Sequence, residues 1–363
     1  MHSGVTFWTE GGRGVGMGHV VRSVTVARIL AGLGIDLSFI VNDDPAVIAL
    51  LDRTPFEYSI GGFDALEQID ETGAVVVFDT KKDFSDLAAT LLGSQRRVVT
   101  IDNLRVNANS SSVIIPSATF NAADRAGAGG ELPAGGAERL YGGSDYVIVG
   151  ENFLLLRDVK NKTVKKRTGD TEKKSPERAL RVLITMGGTD PNGLGEVIVN
   201  ALQGLDAVEA AVVVGPATVP SETFAELIES PPDGISFFTD VEDLAPYAVS
   251  SDVAFTAMGI TVYELAAIGV PSILIGNYRD DVEEMARLES LGIGRSLGYH
   301  GDVTRSDIRN IIEFFIQERK SLMEIGESAR ATVDGRGAER VAAIVTGLLT
   351  EADKDVKNGA RHA

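Results

Sequence analysis

The chain contains no cysteine and very little histidine. Without cysteine, its 363 residues form neither a disulfide framework nor a thiolate zinc site. The four histidines are His2, His19, His300 and His362, and two of them lie at the chain ends. A histidine-rich metal centre is therefore not expected, and we predict no metal site and no cofactor.

Long apolar runs are missing as well. No uninterrupted apolar stretch reaches the roughly 18 residues that a transmembrane helix needs. The first residues, MHSGVTFWTEGG, lack the basic-then-apolar order of a secretory signal. These absences predict a cytoplasmic protein without a transmembrane segment.

Positive charge is scarce, with 34 Lys and Arg against 52 Asp and Glu and a net charge of −18. This balance argues against general nucleic-acid binding. The segment from Arg157 to Arg178 is an exception, with nine basic and four acidic residues. It is typical of a solvated interdomain linker. A basic patch that contacts an anionic partner is the alternative.

What the chain does contain is a repeated alternation of short β-branched runs and amphipathic stretches. A chain of 363 residues suits two domains. The predicted strands are Val5–Thr9, Asp36–Val41, Ala74–Phe78, Arg97–Ile101 and Ser112–Pro116, then Arg181–Thr185, Ala210–Val214, Gly234–Phe238, Asp252–Thr256 and Pro271–Ile275. Most are apolar on both faces, as in covered parallel sheets. We predict an α/β protein with two doubly wound, Rossmann-like parallel sheets and a ligand cleft between them.

The predicted organisation has five segments. A domain over residues 1–155 precedes the basic linker 156–178 and a second domain over 179–300. Helices follow over 301–350, the last of them a candidate to pack back on the N-terminal domain, and a polar tail covers 351–363. The Gly- and Ala-rich stretch AADRAGAGGELPAGGAERLYGGSD before residue 146 is predicted to be a loop.

The stretch GRGVGMGH follows the first strand and opens the first helix. Glycines such as Gly16 and Gly18 permit a tight turn and let a ligand approach the backbone. The helix start offers unpaired N–H groups to an anion. The spacing G-x-G-x-G differs from the G-x-G-x-x-G dinucleotide fingerprint, which disfavours a dinucleotide-dependent reductase.

His19 lies in the first turn of that helix. The positive end of the helix dipole disfavours the imidazolium and favours a neutral imidazole that can act as a general base. The alternative is a surface histidine without a task.

Two further glycine turns lie in the second half. TMGGTDPNGL and TAMGITVYEL each follow a strand and precede a helix. The turn at Gly259, Ile260 and Thr261 directs N–H groups and one hydroxyl out of the strand end, which suits a diphosphate. Glu264, one turn later, could accept hydrogen bonds from ribose hydroxyls. A solvated acidic residue near a helix start is the alternative.

In this order and spacing, GMGHVVR, MGGTDPNGL, GITVYELAAIGVPSILI and DGRGAERVAAIV resemble one family. It is the family of the UDP-sugar hydrolase of pseudaminic acid synthesis, which includes spore-coat polysaccharide proteins. It belongs to the wider GT-B glycosyltransferase-fold group, with the lipid II-forming N-acetylglucosaminyltransferase as a distant relative. The resemblance covers most of the chain outside the linker and residues 121–140.

The resemblance implies roles for individual residues. The histidine of the G-x-G-H-x-x-R motif is catalytic, which matches His19, with Arg22 beside it. The C-terminal domain holds UDP. The phosphates lie near Gly187, Gly188, Thr189, Gly259, Ile260 and Thr261, and the ribose lies near Glu264.

The chain departs from the family pattern at three places. The Asn-Gln pair after the last strand is present as Asn277 and Tyr278. The Asp-x-Tyr motif keeps Asp79 but lacks the tyrosine, and an aspartate pair is replaced by Asp102 and Asn103. These positions lie where the family binds the sugar, so the sugar and the acceptor stay open. Asp79 or Asp102 is the alternative catalytic base.

We therefore predict a two-domain enzyme that acts on a UDP-linked sugar. Water as the nucleophile makes it a hydrolase, which the resemblance favours, and a sugar hydroxyl makes it an inverting glycosyltransferase. The acetamido type of sugar, and a role in surface polysaccharide or nonulosonic acid synthesis, also come from the resemblance. A noncatalytic nucleotide-sugar-binding subunit is the alternative of another class.

Overall fold

The computed structural model describes residues 4–12, 15–64, 74–120, 139–157 and 178–359. Most of the predicted linker, Gly14, His2, His362 and residues 121–138 of the predicted loop lie outside the described residues. The described chain forms two compact units. One comprises residues 1–148 and 335–363, and the other comprises residues 149–334. The second unit thus begins at Val149, before the linker expected to precede it.

The strands and helices are numbered here in chain order. The strands are β1 (Gly4–Thr9), β2 (Asp36–Val41), β3 (Glu57–Ile60), β4 (Val75–Asp79), β5 (Arg97–Ile101), β6 (Ser112–Ile115), β7 (Arg139–Gly142), β8 (Leu180–Thr185), β9 (Val208–Val213), β10 (Ile235–Phe238), β11 (Val253–Thr256), β12 (Ser272–Gly276) and β13 (Gly294–Tyr299). The α-helices are α1 (Gly18–Gly32), α2 (Pro45–Leu51), α3 (Ser85–Gly93), α4 (Leu194–Leu202), α5 (Glu222–Glu229), α6 (Ala245–Ser250), α7 (Ile260–Ile268), α8 (Asp281–Ser290), α9 (Arg305–Gln317), α10 (Arg319–Thr332) and α11 (Gly337–Gly359). Residues 104–109 and 144–146 form 3₁₀ turns, and residues 151–157 are helical.

Each unit has one parallel sheet. The N-terminal sheet has seven strands in the order β3-β2-β1-β4-β5-β6-β7, and the C-terminal sheet has six in the order β10-β9-β8-β11-β12-β13. In both, the chain proceeds outward in one direction and then returns to the other side of the first strand. This order confirms the predicted doubly wound α/β class and places a switch point between β1 and β4 and another between β8 and β11.

Three of the strands in the described residues, β3, β7 and β13, were not predicted from the sequence. The edge strand β3 is short and largely exposed, so it lacks the apolar run that identifies buried strands. β7 lies in the stretch predicted to be a loop, and β13 contains two glycines and a register shift against β12. The last helix, α11, continues to Gly359, into the predicted polar tail.

The cores follow the expected patterns. In α1, buried Val20, Val24, Ala27 and Leu30 form one face that packs on the N-terminal sheet. The last helix, α11, contributes Val341, Val345 and Leu348 to the same core. A separate core fills the C-terminal unit between its sheet and helices such as α4 and α9. Within the described ranges, no helix combines the length and apolar character needed to cross a membrane.

Candidate active site

The first glycine turn connects β1 to α1. Gly12 has φ of +102°, and a Cβ there would lie 2.0 Å from Asp44 Oδ2, so only glycine fits. Gly12 and Gly16 form an antiparallel bridge with N···O distances of 3.1 and 2.9 Å. Asn42, which follows β2, accepts from Gly11 N–H and donates to Gly11 O, both at 2.9 Å. The turn is thus held from the neighbouring strand and delivers the chain to α1 at Gly18.

The first turn of α1 brings His19 to the end of β4. His19 Nδ1 lies 2.5 Å from Oδ1 of Asp79, the last residue of that strand. Arg22, one turn further along α1, donates from Nε to Asp79 Oδ2 and from Nη2 to Asp79 Oδ1, both at 2.6 Å. The Asp79 side chain is 0% exposed, and those of His19 and Arg22 are 12% exposed. His19 and Asp79, the two residues predicted as catalytic, therefore lie together.

Burial and neighbouring charges shift the pKa values of Asp79 and Arg22. Burial acts to raise the pKa of Asp79, but the charge and hydrogen bonds of Arg22, together with His19, outweigh it and lower that pKa. Burial acts to lower the pKa of Arg22, but the carboxylates of Asp79 and Asp102 outweigh burial, so the pKa is raised above its ordinary value. Asp79 is therefore an ionised, acceptor-only carboxylate. Arg22 Nη2 lies 3.0 Å from the same His19 Nδ1 that contacts Asp79 at 2.5 Å, and Nδ1 cannot both donate to the carboxylate and accept from the arginine. We assign the shorter contact as the hydrogen bond, with the proton on Nδ1, which leaves the lone pair of the neutral imidazole on Nε2.

A second layer of charges surrounds this group. Asp102, which follows β5 with φ of +58°, has its Oδ2 3.2 Å from Arg22 Nη2 and 2.8 Å from Lys81 Nζ. Glu10, directly after β1, accepts from the hydroxyl of Thr80 and lies 2.6 Å from Lys82 Nζ. Glu10, Thr80, Lys81 and Lys82 were not predicted as site residues. Their position in the sequence could have identified them, because they follow β1 or β4, the two strands on either side of the switch point.

In the part of the chain that the structure describes, no group of three or more His, Asp or Glu side chains lies close enough to hold a metal ion. The carboxylates of Asp79 and Asp102 form ion pairs with Arg22, and Asp102 also pairs with Lys81.

The turn after β8 presents glycine backbone to open space. Gly187 has φ of +83°, and a Cβ on Gly187 or Gly188 would meet no atom of the described residues within 4 Å. The start of α4 is not open in the same way, because Asp190 accepts from Leu194 N and Gly195 N, both at 2.8 Å. An anion at this turn would therefore meet the backbone before Asp190 rather than these two helix N–H groups.

The turn after β11 is different. Gly259 is the N-cap residue of α7, with φ of +158°. Among the described residues, no side chain caps this helix, and a Cβ added to Gly259 would meet no atom within 4 Å. Ile260 and Thr261 then form the first turn of α7. This helix start lacks the capping carboxylate found at α4, so its N–H groups and dipole are available to an anion.

Glu264 lies one turn further along α7 and is buried, with 7% exposure. The alternative of a solvated surface acid is therefore wrong. Burial raises its pKa to about 7, while a hydrogen bond from Gly150 N–H acts against the rise and Asp243 adds to it. The sequence contains no signal for the contact with Gly150, which lies 114 residues away.

Asn277 follows β12, and its Oδ1 accepts from Asn192 Nδ2 at 2.9 Å. Asn192 belongs to the turn after β8, and β11 lies between β8 and β12 in the sheet. The bond therefore connects two turns that flank the turn of Gly259. Tyr278, the next residue, is 66% exposed.

No known family model matches the chain. Spore coat polysaccharide biosynthesis protein SpsG of Bacillus subtilis is 25% identical over 222 residues, 60% of each chain. The UDP-N-acetylglucosamine--N-acetylmuramyl-(pentapeptide) pyrophosphoryl-undecaprenol N-acetylglucosamine transferase of Halorhodospira halophila is 29% identical over 46% of this chain and 48% of its own length. The chain thus spans about half to three fifths of the length of the curated relatives it matches.

Solved structures match over nearly the whole chain. Acinetobacter baumannii MurG superposes with a TM-score of 0.63 at 15% identity, covering 95% of this chain and 99% of that one. The calicheamicin glycosyltransferase CalG4 gives 0.61 at 14% identity, with 97% and 99% covered. LpCGTa in complex with UDP gives 0.65 at 13% identity, with 96% and 100% covered. These structures share the GT-B fold with this chain, as predicted.

Proposed function

We propose that this chain is an enzyme that displaces UDP from a UDP-linked sugar, with His19 as the general base. The observation that carries the proposal is the hydrogen bond from His19 to the buried carboxylate of Asp79, at 2.5 Å. A histidine held in this way has one defined tautomer and one basic nitrogen, which is what a general base requires.

The proposed chemistry follows from this tautomer. His19 Nε2 accepts a proton from a hydroxyl nucleophile as that oxygen attacks the anomeric carbon and the bond to the UDP oxygen breaks. The imidazolium that forms is stabilised by Asp79, whose own proton affinity is low because Arg22 neutralises it. Attack opposite to the leaving group inverts the anomeric configuration.

We assign the leaving nucleotide to the C-terminal unit. The uncapped start of α7 at Gly259, Ile260 and Thr261 would stabilise the diphosphate through N–H groups and the helix dipole. Gly187, Gly188 and Thr189 would supply further backbone contacts. Glu264 would accept from the ribose hydroxyls, and Asn277 would donate its amide to the ligand. The structural neighbour LpCGTa is in complex with UDP, which supports UDP as the nucleotide.

The nucleophile defines two candidate functions. The sequence resemblance favours water, and therefore a hydrolase. The relative named as an N-acetylglucosamine transferase favours a sugar hydroxyl, and neither relative described above is named a hydrolase. We therefore place glycosyl transfer first and hydrolysis second. The name of the Bacillus relative supports a role in surface polysaccharide synthesis.

A panel of UDP-sugars, each with and without candidate sugar acceptors, tests the proposal. Product that forms only with an acceptor supports the transferase, and free sugar plus UDP without an acceptor supports the hydrolase. Tight UDP binding with no turnover under any condition would instead support the noncatalytic binding subunit.

A further inference from the structure

We propose that Asn103 is a positioning residue for the acid–base group. Its side-chain amide holds the loop of residues 80–82, which directly follows Asp79, and thereby keeps Lys81 on the carboxylate of Asp102. Asn103 itself would not touch the substrate. Its effect on turnover rests on the proposed function, whereas its hold on the loop does not.

The side chain of Asn103 is buried, with 4% exposure, and is bonded to backbone groups. Its Nδ2 donates to Thr80 O at 2.9 Å and to Lys82 O at 2.8 Å, while its Oδ1 accepts from Arg105 N at 3.1 Å. Two carbonyls require two donors, which fixes the orientation of the amide. Both N–H groups of Asn103 are thereby used, so none remains for the sugar contact that the resemblance implies at this position.

The loop directs two lysines to two different carboxylates. Lys81 Nζ donates to Asp102 O at 2.9 Å and lies 2.8 Å from Asp102 Oδ2. Lys82 Nζ lies 2.6 Å from Glu10 Oε2. Asn103 bonds the carbonyls of the residues on either side of Lys81. It therefore fixes the backbone from which the Lys81 side chain extends.

The contact of Lys81 with Asp102 bears on the acid–base group through Arg22. Asp102 Oδ2 accepts from Arg22 Nη1 at 3.3 Å and from Nη2 at 3.2 Å, while the same guanidinium donates to Asp79 at 2.6 Å. If Lys81 moved away, Asp102 would compete with Asp79 more strongly for Arg22. Asp79 also holds His19, and a displacement of about 1 Å in a catalytic group can cost about 100-fold in rate.

An aspartate at position 103 would have the same shape without the donors. Its carboxylate would face the carbonyl oxygens of Thr80 and Lys82 in a buried site, where acceptors without a donor are costly. The loop can escape this arrangement by moving away from β5. Asn103→Asp should therefore release the loop with a minimal change of volume.

Trp8 reports the position of the loop without any substrate, because it is the single tryptophan of the chain. Its ring is buried, and Lys82 Nζ lies 5.6 Å from the ring centre. Lys82 is held by its ion pair with Glu10 and by the bond from Asn103 to its carbonyl. Release of the loop would take the ammonium off the indole and open the ring to a neutral quencher such as acrylamide.

The test compares the wild-type chain with Asn103→Asp and with Asn310→Asp, which makes the same chemical change at an exposed position on α9. Asn103→Asp should increase acrylamide quenching of Trp8 and lower kcat by about tenfold to hundredfold. UDP affinity should stay within about twofold of the wild-type value, because the nucleotide is assigned to the other unit. Asn310→Asp should change none of the three quantities.

A second comparison tests the route through Lys81. In a Lys81→Met background the ion pair with Asp102 is already absent, so Asn103→Asp should lower kcat by less than about threefold further. Asn103→Ala removes the donors without adding a charge and should reproduce both changes in the otherwise wild-type chain. It takes the place of Asn103→Asp if the buried carboxylate prevents folding.

Unchanged quenching and unchanged kcat in a folded Asn103→Asp protein would overturn the inference. Increased quenching with wild-type kcat would show that Asn103 holds the loop for stability alone, which overturns the positioning role. A raised KM for the UDP-sugar with unchanged quenching would make Asn103 a sugar contact instead. Equal losses of kcat with and without Lys81 would exclude the route through Asp102. Absence of turnover in the wild type would overturn the proposed function, and quenching would then decide the hold on the loop alone.

Discussion

In the N-terminal unit, charged side chains crowd the end of β4, whereas in the C-terminal unit the ends of β8 and β11 carry mostly glycine backbone. The first arrangement includes one buried carboxylate bonded to a histidine and an arginine. The second has open space above Gly188 and Gly259 and one buried carboxyl, Glu264. Proton transfer needs a base of defined tautomer, and anion binding needs unshared N–H groups. The arrangement in the N-terminal unit therefore suits proton transfer, and that in the C-terminal unit suits anion binding.

The same contrast is found between two helix starts of the C-terminal unit. Asp190 occupies the N–H groups at the start of α4, while α7 begins without a capping side chain among the described residues. Since a cap and a bound anion satisfy the same N–H groups, the capped helix is the poorer anion site. Of the two helix starts, that of α7 is therefore the stronger candidate for the diphosphate site.

Replacing His19 by Asn should give the largest effect. A positioned general base contributes about 10²–10⁴-fold to the rate, so kcat should fall by about that factor. UDP affinity should stay unchanged, because the nucleotide is assigned to the other unit. Steady-state kinetics and calorimetry on the same preparation measure both, and His300→Asn is the control histidine. A folded His19→Asn protein that keeps most of its kcat would make Asp79 or Asp102 the better candidate for the base.

Replacing Asp79 by Asn should lower kcat by about 10²-fold or more, because the amide can donate to Nδ1 and stabilise the wrong tautomer. Arg22 loses a buried partner at the same time, so the variant should also unfold at lower denaturant concentration, with a loss of about 3–5 kcal/mol. Asp83→Asn, in the exposed part of the same loop, is the control and should leave kcat unchanged. Wild-type turnover in the Asp79 variant would mean that the carboxylate has only a structural role.

Removing the Glu264 carboxylate tests the other half of the comparison. Glu264→Ala should weaken UDP by about 1.5–3 kcal/mol, which is about tenfold to hundredfold in affinity. In the wild type, UDP affinity should fall as the pH drops below about 7, because protonation of Glu264 removes acceptor capacity. Glu283→Ala on exposed α8 is the control. Equal calorimetric affinity for wild type and Glu264→Ala would exclude Glu264 from the nucleotide site.

Glu264 also has a measurable effect on stability. Its pKa is raised from 4.5 to about 7 in the folded chain, so the ionised form opposes folding, and stability is lost as the pH rises from about 4.5 to about 7 and stays low above that. Glu264→Gln keeps an acceptor for Gly150 N–H and should therefore raise the unfolding free energy at pH 8. The upper limit is about 3 kcal/mol, and local relaxation should reduce it to about 1–2 kcal/mol. At pH 4, below both pKa values, the gain should nearly vanish. A gain of equal size at both pH values would show that the effect does not come from ionisation.

The sequence predicted the buried parts of the molecule better than the exposed ones. The strands β2 and β5 were located to the residue, and their buried ends are FIV and VVTI, whereas β3 and β13 have no such buried run. In the candidate site, motif spacing led to His19, Arg22 and Asp79 separately. Their mutual contacts, and that of Glu264 with Gly150, depend on strand order and loop packing. A single sequence does not record these long-range contacts.

The smallest expected effect is that of chelation. If backbone N–H groups and the dipole of α7 hold the diphosphate, turnover in excess EDTA should stay within about twofold of the untreated rate, since no charge on a metal ion is needed to stabilise the leaving UDP. Pretreatment with EDTA, followed by assays with and without added Mg²⁺ or Mn²⁺, measures it. Loss of activity in EDTA with recovery on adding either ion would mean that the diphosphate is bound as a metal complex, and the glycine turns of the C-terminal unit would then no longer account for leaving-group stabilisation.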